Sequence, residues 1–418
     1  MSNEIQRKNI IFYSVFFVIT ILVLNILVSP ENYIKLDSVN KFFQKITASQ
    51  SIAPQRLFIN AWRITKNSYV DETLNNQDWT KWRIRYLKHI KTIEDADIAI
   101  NSMLASLNDP YSKFLQSDLF AKQKMILDSE ITGIGVLFNK SGDEIVINHI
   151  IDNSPAQNAD IIPGDTIVCI DGEKTDNLDI RNIIHSIEAS DKKEVELTLK
   201  RNNVLITKKL KRKSIPIKTM DYKITKDNLG IITLTNIMGE QAVYDFRNIL
   251  IKTNDTKGLI LDLRNNYGGI LANAIQMSNY MLDINKIVSI QSRINTKYQI
   301  YSDGEKVFKN KPIVILINKN TASAAEILAG TLKDNLDAIL IGEPSFGKNS
   351  IQHVIPMSND TGLILTTDKY ILPNGKDIYG KGLVPDIIIK QDTLTTFTND
   401  KQLKHAEKIL IKLVKNQK

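Results

Sequence analysis

The sequence predicts an α+β protein of several domains: a helical domain, then a β-rich domain, then an α/β domain. Three observations support this class. Apolar residues recur at helical spacing over 39–126, β-branched residues alternate with polar ones over about 130–215, and apolar strands alternate with helical stretches from about 221 onward. The 418 residues, 43% of them apolar and 24% charged, are enough for two or three globular domains.

The chain begins with an almost unbroken apolar stretch over residues 10–28, preceded by Arg7 and Lys8. A helix of ~20 apolar residues crosses a bilayer, and its basic flank stays in the cytoplasm. We therefore expect residues 1–38 to be a cytoplasmic stub and a single-pass anchor in the inner (cytoplasmic) membrane. Everything after Pro30 is then periplasmic or otherwise extracytoplasmic. A cleaved signal peptide is the alternative, but an A-x-A-type site is missing and the apolar core exceeds the ~7–15 residues of a signal.

Residues 39–126 are expected to form the helical domain. Leu57 and Trp62 belong to one helical apolar pattern, and Met103 and Leu104 belong to a second. The last clear helix is expected to stop at 108–111, because Pro110 cannot continue a helix and Asn and Asp favour a turn.

The β-rich domain is expected over 127–215 and contains a short glycine loop made of Gly133, Ile134, Gly135 and Val136. Glycines at two positions let the N–H groups of Ile134, Gly135 and Val136 converge on an anion, and the adjoining strand offers an edge to an extended peptide. A plain tight turn is the alternative for so short a motif. Ser-Pro-Ala at 154–156, Gly-Asp-Thr-Ile at 164–167 and Ile-Asp-Gly at 170–172 follow, and the whole order resembles a bacterial PDZ domain.

The α/β domain is expected over 216–395, with a C-terminal helix over 396–418. Its strands are predicted at 230–234, 258–263 and 313–317, and its helices at 271–281 and 324–332. The last helix has an apolar stripe that includes Ala406 and Leu410, and its lysines are interpreted as a solvated face.

Composition excludes several function classes. The net charge of +8 comes from 54 basic and 46 acidic residues scattered along the whole chain, so no nucleic-acid partner is expected. The lone Cys169 excludes an internal disulfide framework, and its apolar surroundings indicate a core strand. The chain has no CxxC pair and no Cys/His cluster, so we expect no metal site and no cofactor.

Ser323 is the candidate nucleophile. It is expected where a strand gives way to a helix, between two alanines that leave room for a substrate backbone. The N–H of Ala324, together with that of Gly268 or Gly269, is placed to donate to the oxyanion that forms when a serine attacks a peptide carbonyl.

Lys348 is the candidate general base, since a buried lysine can be neutral near pH 7, and it has no acidic neighbour in the sequence. Gln352, four residues later, is expected on the same face and within reach of the amine. His353 alone among the five histidines falls near this segment. A helix cap for the serine and a solvated charge for the lysine are the alternatives.

Three segments carry these residues: Leu-Asp-Leu-Arg-Asn-Asn-Tyr-Gly-Gly at 261–269, Thr-Ala-Ser-Ala-Ala-Glu at 321–326, and Gly-Glu-Pro-Ser-Phe-Gly-Lys at 342–348 with Gln352. They resemble the signature of the C-terminal processing peptidases, or tail-specific proteases, over residues 55–390. The resemblance implies a crotonase/Clp-like α/β serine endopeptidase with an internal PDZ domain that cleaves exported proteins and recognises or senses their C-termini. It assigns Ser323 as nucleophile, Lys348 as base and Gln352 as the residue that positions the lysine.

Four positions depart from the usual pattern: Tyr267, Ala325, Asn349 and Lys376. None of them transfers a proton in the mechanism that the resemblance implies, and Tyr267 adjoins the oxyanion glycines. Two rival functions are weighed. A non-catalytic PDZ scaffold would have lost Ser323 or Lys348, and a Ser-His-Asp protease of the envelope places its protease before the PDZ domain. A homo-oligomer and an accessory adaptor are both compatible with the sequence.

Overall fold

The computed structural model describes residues 53–416, apart from 128–129, 142–143, 152, 177, 179, 189–192, 217, 294–296 and 391–399. The described residues form two compact units, Gln123–Thr219 and the remainder. Among them, no helix has both the length and the apolar character required to span a bilayer. The anchor predicted at 10–28 lies outside the described residues.

The described helices are α1 (Pro54–Ser68), α2 (Thr80–Tyr86), α3 (Ile93–Ala105), α4 (Ser117–Leu127), α5 (Pro155–Asn158), α6 (Ile180–Glu188), α7 (Gln241–Lys252), α8 (Leu271–Asn279), α9 (Ala324–Leu336) and α10 (Lys401–Asn416). The strands from β1 to β9 are β1 (Lys113–Leu115), β2 (Glu130–Gly133), β3 (Val136–Ser141), β4 (Glu144–Ile150), β5 (Thr166–Ile170), β6 (Glu173–Lys174), β7 (Glu194–Arg201), β8 (Val204–Lys211) and β9 (Lys213–Pro216). The strands from β10 onward are β10 (Met220–Ile224), β11 (Leu229–Leu234), β12 (Gly258–Asp262), β13 (Lys286–Ser292), β14 (Lys297–Tyr301), β15 (Ile313–Ile317), β16 (Ile339–Gly342), β17 (Ser350–Pro356), β18 (Gly362–Ile371) and β19 (Ile387–Ile388).

The larger unit is built on a six-stranded sheet in the order β10-β11-β12-β15-β16-β19. All neighbouring pairs are parallel except β10 with β11. Strands β12 and β15 are buried at every residue, because α7, α8 and α9 cover one face of the sheet and α10 covers the other. The exposed positions of α10 are lysines, with a single exception at its last residue, Asn416. This is the α/β domain that the alternation of strands and helices predicts.

The helical segment packs against a second sheet, which has five strands. Strand β18 pairs with β17 on one edge and with β1 and β13 on the other, and β14 extends β13. Leu363 and Leu365 of β18 share a core with Leu57 of α1 and Met103 of α3. The helical segment is therefore packed into the same compact unit as the α/β sheet.

The smaller unit contains a sheet in the order β3-β4-β5-β7-β8, with β6 beside β5, and a separate pair β2-β9. Its core is mainly isoleucine and leucine, including Ile145, Ile167 and Leu197. Cys169 lies in a strand, as predicted, but it is half-buried and not in the core. A register shift between Ile167 and Cys169 interrupts the inward-outward alternation, so Ile167 and Ile170 face the core instead.

Candidate active site

Ser323 lies at the junction of β15 and α9, in the position directly before the helix. Its backbone has φ 54° and ψ −121°, a conformation that costs a non-glycine residue about 1–3 kcal/mol. Such strain persists only where the surroundings hold it, and here they are dense: Ala322 and Ala324 on either side are buried. The helix N-terminus beside the serine favours negative charge.

Hydrogen bonds from three directions hold this turn. The Thr321 hydroxyl donates to the Leu263 carbonyl at 2.8 Å, and the Ala322 N–H donates to the Asn266 carbonyl at 3.0 Å. The hydroxyl of the buried Tyr370 donates to the Ser323 carbonyl at 3.3 Å. The serine turn is thereby fixed to the glycine loop after β12 and to β18.

The glycine loop lies directly against the serine. A Cβ on Gly268 would come within 3.0 Å of both the Ala324 nitrogen and the Ser323 Cβ, and a Cβ on Gly269 would collide with the Ile237 carbonyl oxygen at 2.2 Å. Only glycine fits either position. The Gly268 N–H donates to the Asn266 side-chain oxygen at 2.9 Å, whereas within the described residues the N–H groups of Gly269 and Ala324 make no hydrogen bond. The pair available to an oxyanion is therefore Gly269 and Ala324.

Lys348 is placed by the turn between β16 and β17. Gly347 before it has φ 83°, and a Cβ there would lie 2.6 Å from both the Gly382 nitrogen and the Ile378 carbonyl oxygen. Burial lowers the pKa of the Lys348 amine below its usual value, against the opposing fields of Asp109 and Glu326. The neutral amine is therefore populated at lower pH than in an ordinary lysine.

Glu326 connects the serine turn to the lysine turn. One carboxylate oxygen accepts the Ser323 N–H at 2.8 Å and the Lys348 N–H at 3.0 Å. The other accepts the Gly347 N–H at 2.7 Å and the Ser345 hydroxyl at 2.5 Å. Glu326 is completely buried, and this burial raises its pKa against the four hydrogen bonds. One side chain thus fixes both candidate catalytic segments.

Acidic groups do surround the lysine, although its sequence neighbours contain none. The fold brings in Glu326 from α9 and Asp109 from the loop after α3. The same loop places Tyr111 against the amine, with Lys348 Nζ 4.4 Å from the ring centroid. Within the described residues, this amine makes no hydrogen bond to Ser323 or Gln352.

Gln352 lies in β17, while Lys348 precedes that strand. Its amide donates to the Ser350 hydroxyl at 2.9 Å and to the Thr366 hydroxyl at 3.1 Å. The same-face expectation rests on strand alternation, which does not apply to Lys348 because β17 begins only at Ser350; the register shift beside Gln352 has its extra residue, Thr367, in β18. His353, the next residue, is exposed and points to the opposite face of the strand.

Two positions that depart from the usual pattern have clear environments. Asn349 is buried, and its amide donates to Asp377 at 2.8 Å, which ties the lysine turn to the loop that contains Asp377. Tyr267 is 70% exposed and directly precedes Gly268 and Gly269. Its ring is therefore available to a substrate side chain.

In the smaller unit, the glycine loop joins β2 to β3. Gly135 has φ 81°, and a Cβ there would lie 2.2 Å from the Ser154 Cβ. The carbonyls of Ile134 and Gly135 accept hydrogen bonds from Ala156 and Ile151, but in the part of the chain that the structure describes their own N–H groups donate to nothing. Strand β3 is an end strand of its sheet. The loop therefore presents two unused donors at the start of an open strand edge.

Comparison with known proteins places this arrangement in a family. The Peptidase family S41 profile matches residues 228–389, the PDZ domain profile matches 146–201, and the tricorn protease C1 domain profile matches 53–97. A carboxyl-terminal-processing protease of Picosynechococcus is 32% identical over 349 residues, which are 81% of this chain and 84% of that protein. The chain belongs to the carboxyl-terminal-processing proteases, a group of S41 serine peptidases.

Two other similar proteins support the same family assignment. Carboxyl-terminal-processing peptidase 2 of the Arabidopsis thaliana chloroplast is 32% identical over 79% of this chain and 68% of its own length. The solved photosystem II D1 C-terminal processing protease superposes with a TM-score of 0.57 at 28% identity, over 86% of this chain and 98% of that one. The chain is therefore a serine peptidase with a PDZ domain, and its fold class is the one predicted.

Sequence reasoning missed Asp109, Tyr111 and Glu326 as parts of the site. Glu326 had a signal, since Ser-x-x-Glu at a helix start is the capping-box spacing. That spacing predicts the contact with the Ser323 N–H but not the contact with Lys348. For Asp109 and Tyr111 the sequence predicts a helix-ending turn and assigns no role at the site.

Proposed function

We propose that this peptidase cleaves polypeptides with Ser323 as nucleophile and the neutral amine of Lys348 as general base. The observation that carries the proposal is the buried Glu326 carboxylate, whose one oxygen accepts both the Ser323 and the Lys348 N–H. The two segments are therefore held together at their backbones, and the burial that lowers the lysine pKa supports the role of a base.

The reaction proceeds in two halves. Ser323 Oγ attacks the scissile carbonyl carbon while its proton passes to Lys348 Nζ, and the negative charge on the carbonyl oxygen is stabilised by the N–H groups of Gly269 and Ala324. The ammonium then protonates the leaving amine, which restores the neutral lysine. Water attacks the acyl-enzyme with the same lysine as base, and Ser323 regains its proton. In this scheme Gln352 orients the amine when the substrate is bound.

The base is tested by a matched set of variants of the purified full chain, acting on a fluorescently labelled unstructured polypeptide. Lys348→Ala and Lys348→Arg are each expected to lower kcat at least ~10²-fold, because arginine keeps the charge but does not deprotonate at working pH. His353→Ala is expected to keep most of the activity, and Gln352→Ala a residual part. An active arginine variant, or an inactive but folded His353→Ala, would restore a histidine mechanism.

We further propose that the PDZ unit recognises the free C-terminus of its substrates. The unused N–H groups of Ile134 and Gly135 fit a carboxylate, and the open edge of β3 accepts an extended peptide as an added strand. Both features lie in the same loop and strand, so one bound peptide uses them together.

For location, we propose that residues 10–28 anchor the chain in the inner membrane with the catalytic part outside the cytoplasm. The support is the apolar length and the preceding Arg7 and Lys8. Exported polypeptides are then the substrates within reach.

A further inference from the structure

The amine of Lys348 has an aromatic partner in the structure. Its Nζ lies 4.4 Å from the centroid of the Tyr111 ring, well inside the ~6 Å at which a ring face attracts a cation. Tyr111 is only partly exposed, as is Lys348, so bulk water does not separate them. A ring in this position stabilises the ammonium over the neutral amine.

The loop that carries Tyr111 is fastened in place. Asp109 accepts the Tyr111 N–H at 3.0 Å and the Ser112 hydroxyl at 2.6 Å. The same Ser112 hydroxyl accepts the Thr366 N–H of β18 at 3.0 Å. Because β18 is also the partner of the strand that follows Lys348, ring and amine are held by neighbouring strands.

The charges around the amine act in the same direction as the ring. Asp109 faces it from the loop after α3 and Glu326 faces it from α9, and both carboxylates favour the ammonium. Burial raises the pKa of the Tyr111 phenol and also that of Tyr69, which interacts with Asp109, so neither phenol is charged near pH 7. Burial opposes all of these groups by favouring the neutral amine.

We propose that Tyr111 is a positioning residue for the base: its ring holds the protonated Lys348 amine in a resting position, from which the amine must depart to take the Ser323 proton. The inference rests on the proposed Ser-Lys mechanism. It adds Tyr111, a residue of the N-terminal helical segment. The Ser-Lys mechanism itself does not require this residue. Deprotonation at Nζ gives up the ring contact, so the ring raises the pH at which the base becomes active.

The test is the pH dependence of kcat/KM for the purified full chain on the labelled unstructured polypeptide. Tyr111→Phe retains the ring face and is expected to keep the acidic limb of the wild-type profile. Tyr111→Leu retains apolar cover without the ring, and its limb is expected to move down by about one pH unit. Tyr298→Leu removes an exposed tyrosine from β14, two strands away from β18 in the same sheet, and is the control.

A purely structural role for Tyr111 would lower the plateau of the profile without moving the limb. An unchanged or upward-shifted limb in Tyr111→Leu therefore overturns the inference. If that variant does not fold, replacing Tyr111 by pentafluorophenylalanine keeps the shape and reverses the ring's quadrupole, and the same downward shift is expected relative to phenylalanine. Lys348→Ala distinguishes failure of the Ser-Lys mechanism from failure of the role of the ring. An active Lys348→Ala variant would refute the mechanism. An inactive Lys348→Ala variant, together with an unshifted acidic limb in Tyr111→Leu, refutes only the role of the ring.

Discussion

Replacing Glu326 by glutamine should damage both stability and catalysis, although the side chain keeps its shape. The carboxylate accepts four hydrogen bonds, two on each oxygen, and the amide of glutamine can accept only on one. The orientation of lower free energy turns the NH₂ group of the glutamine toward Ser345 and Gly347, because the Ser345 hydroxyl can rotate and accept a hydrogen bond from it. The Gly347 N–H then faces another donor.

The magnitude follows from this count. A hydrogen bond to a charged acceptor contributes about 1.5–3 kcal/mol, and all four such bonds become neutral or are lost, which costs several kcal/mol in gross terms. The substitution also removes a buried charge, whose cost is evident in the raised pKa of Glu326. A net loss of about 2–3 kcal/mol remains, which corresponds to a fall in Tm of roughly 3–6 °C for a unit of more than 250 residues.

Catalysis is expected to suffer more than binding. Release of the Ser323 and Lys348 backbones displaces the nucleophile from the base, and a displacement of about 1 Å can cost ~10²-fold in kcat. KM should change little, since Glu326 is completely buried and does not reach substrate. Initial rates and thermal unfolding of the purified full chain measure both effects, with the exposed Glu305→Gln as control. A Glu326→Gln variant with wild-type kcat and Tm would refute the bridging role.

Two further predictions concern binding and topology. A peptide with a free C-terminal carboxylate should bind the PDZ unit at least about tenfold more tightly than its C-terminal amide in a fluorescence titration, because the amide lacks the charge that the Ile134 and Gly135 N–H groups stabilise. Equal affinities would leave strand addition as the sole mode of binding. A reporter enzyme that is active only in the periplasm should be active when fused after residue 40, and activity of a cytoplasm-only reporter at that point would contradict the proposed topology.

Local patterns were sufficient for much of the α/β fold. Strand β15 is observed at its predicted limits, and α9 begins at the predicted Ala324 and continues four residues beyond the predicted end, to Leu336. Both depend on periodicity and on a strand-to-helix change, which neighbouring residues determine. The helix predicted over 271–281 ends at Asn279, because the N–H groups of Met281 and Leu282 donate to carbonyls three residues back in place of helical bonds four residues back.

Local sequence patterns could not predict contacts between segments that are far apart in the chain. Asp109 and Tyr111 meet Lys348 only because β1 and β17 pair with opposite edges of β18, and no spacing in the sequence encodes that pairing. The expectation for Gln352 depended on regular alternation from Lys348. Lys348 lies instead in the turn before β17, so strand alternation does not extend to it, and no residue between Lys348 and Gln352 marks the start of the strand in the sequence.

Opposing contributions to the pKa of the Lys348 amine indicate which part of the site can change the strength of the base. Burial lowers the pKa of the amine, and the turn that places the lysine packs at Gly347 against the backbone of residues 378–382. The opposing contributions of Asp109 and the Tyr111 ring both come from one loop, attached to β18 through Ser112. Coulombic and cation–π attraction both weaken with distance, so an outward shift of this loop would remove both at once, unless water entered and restored the hydration of the ammonium.

The serine turn offers no comparable freedom, because Glu326 and the glycine loop fix it from two sides. Substitutions in the loop after α3 should therefore alter the pH profile of the enzyme. Substitutions around the serine turn should alter its maximal rate, and at Glu326, whose charge also favours the ammonium, they should alter both.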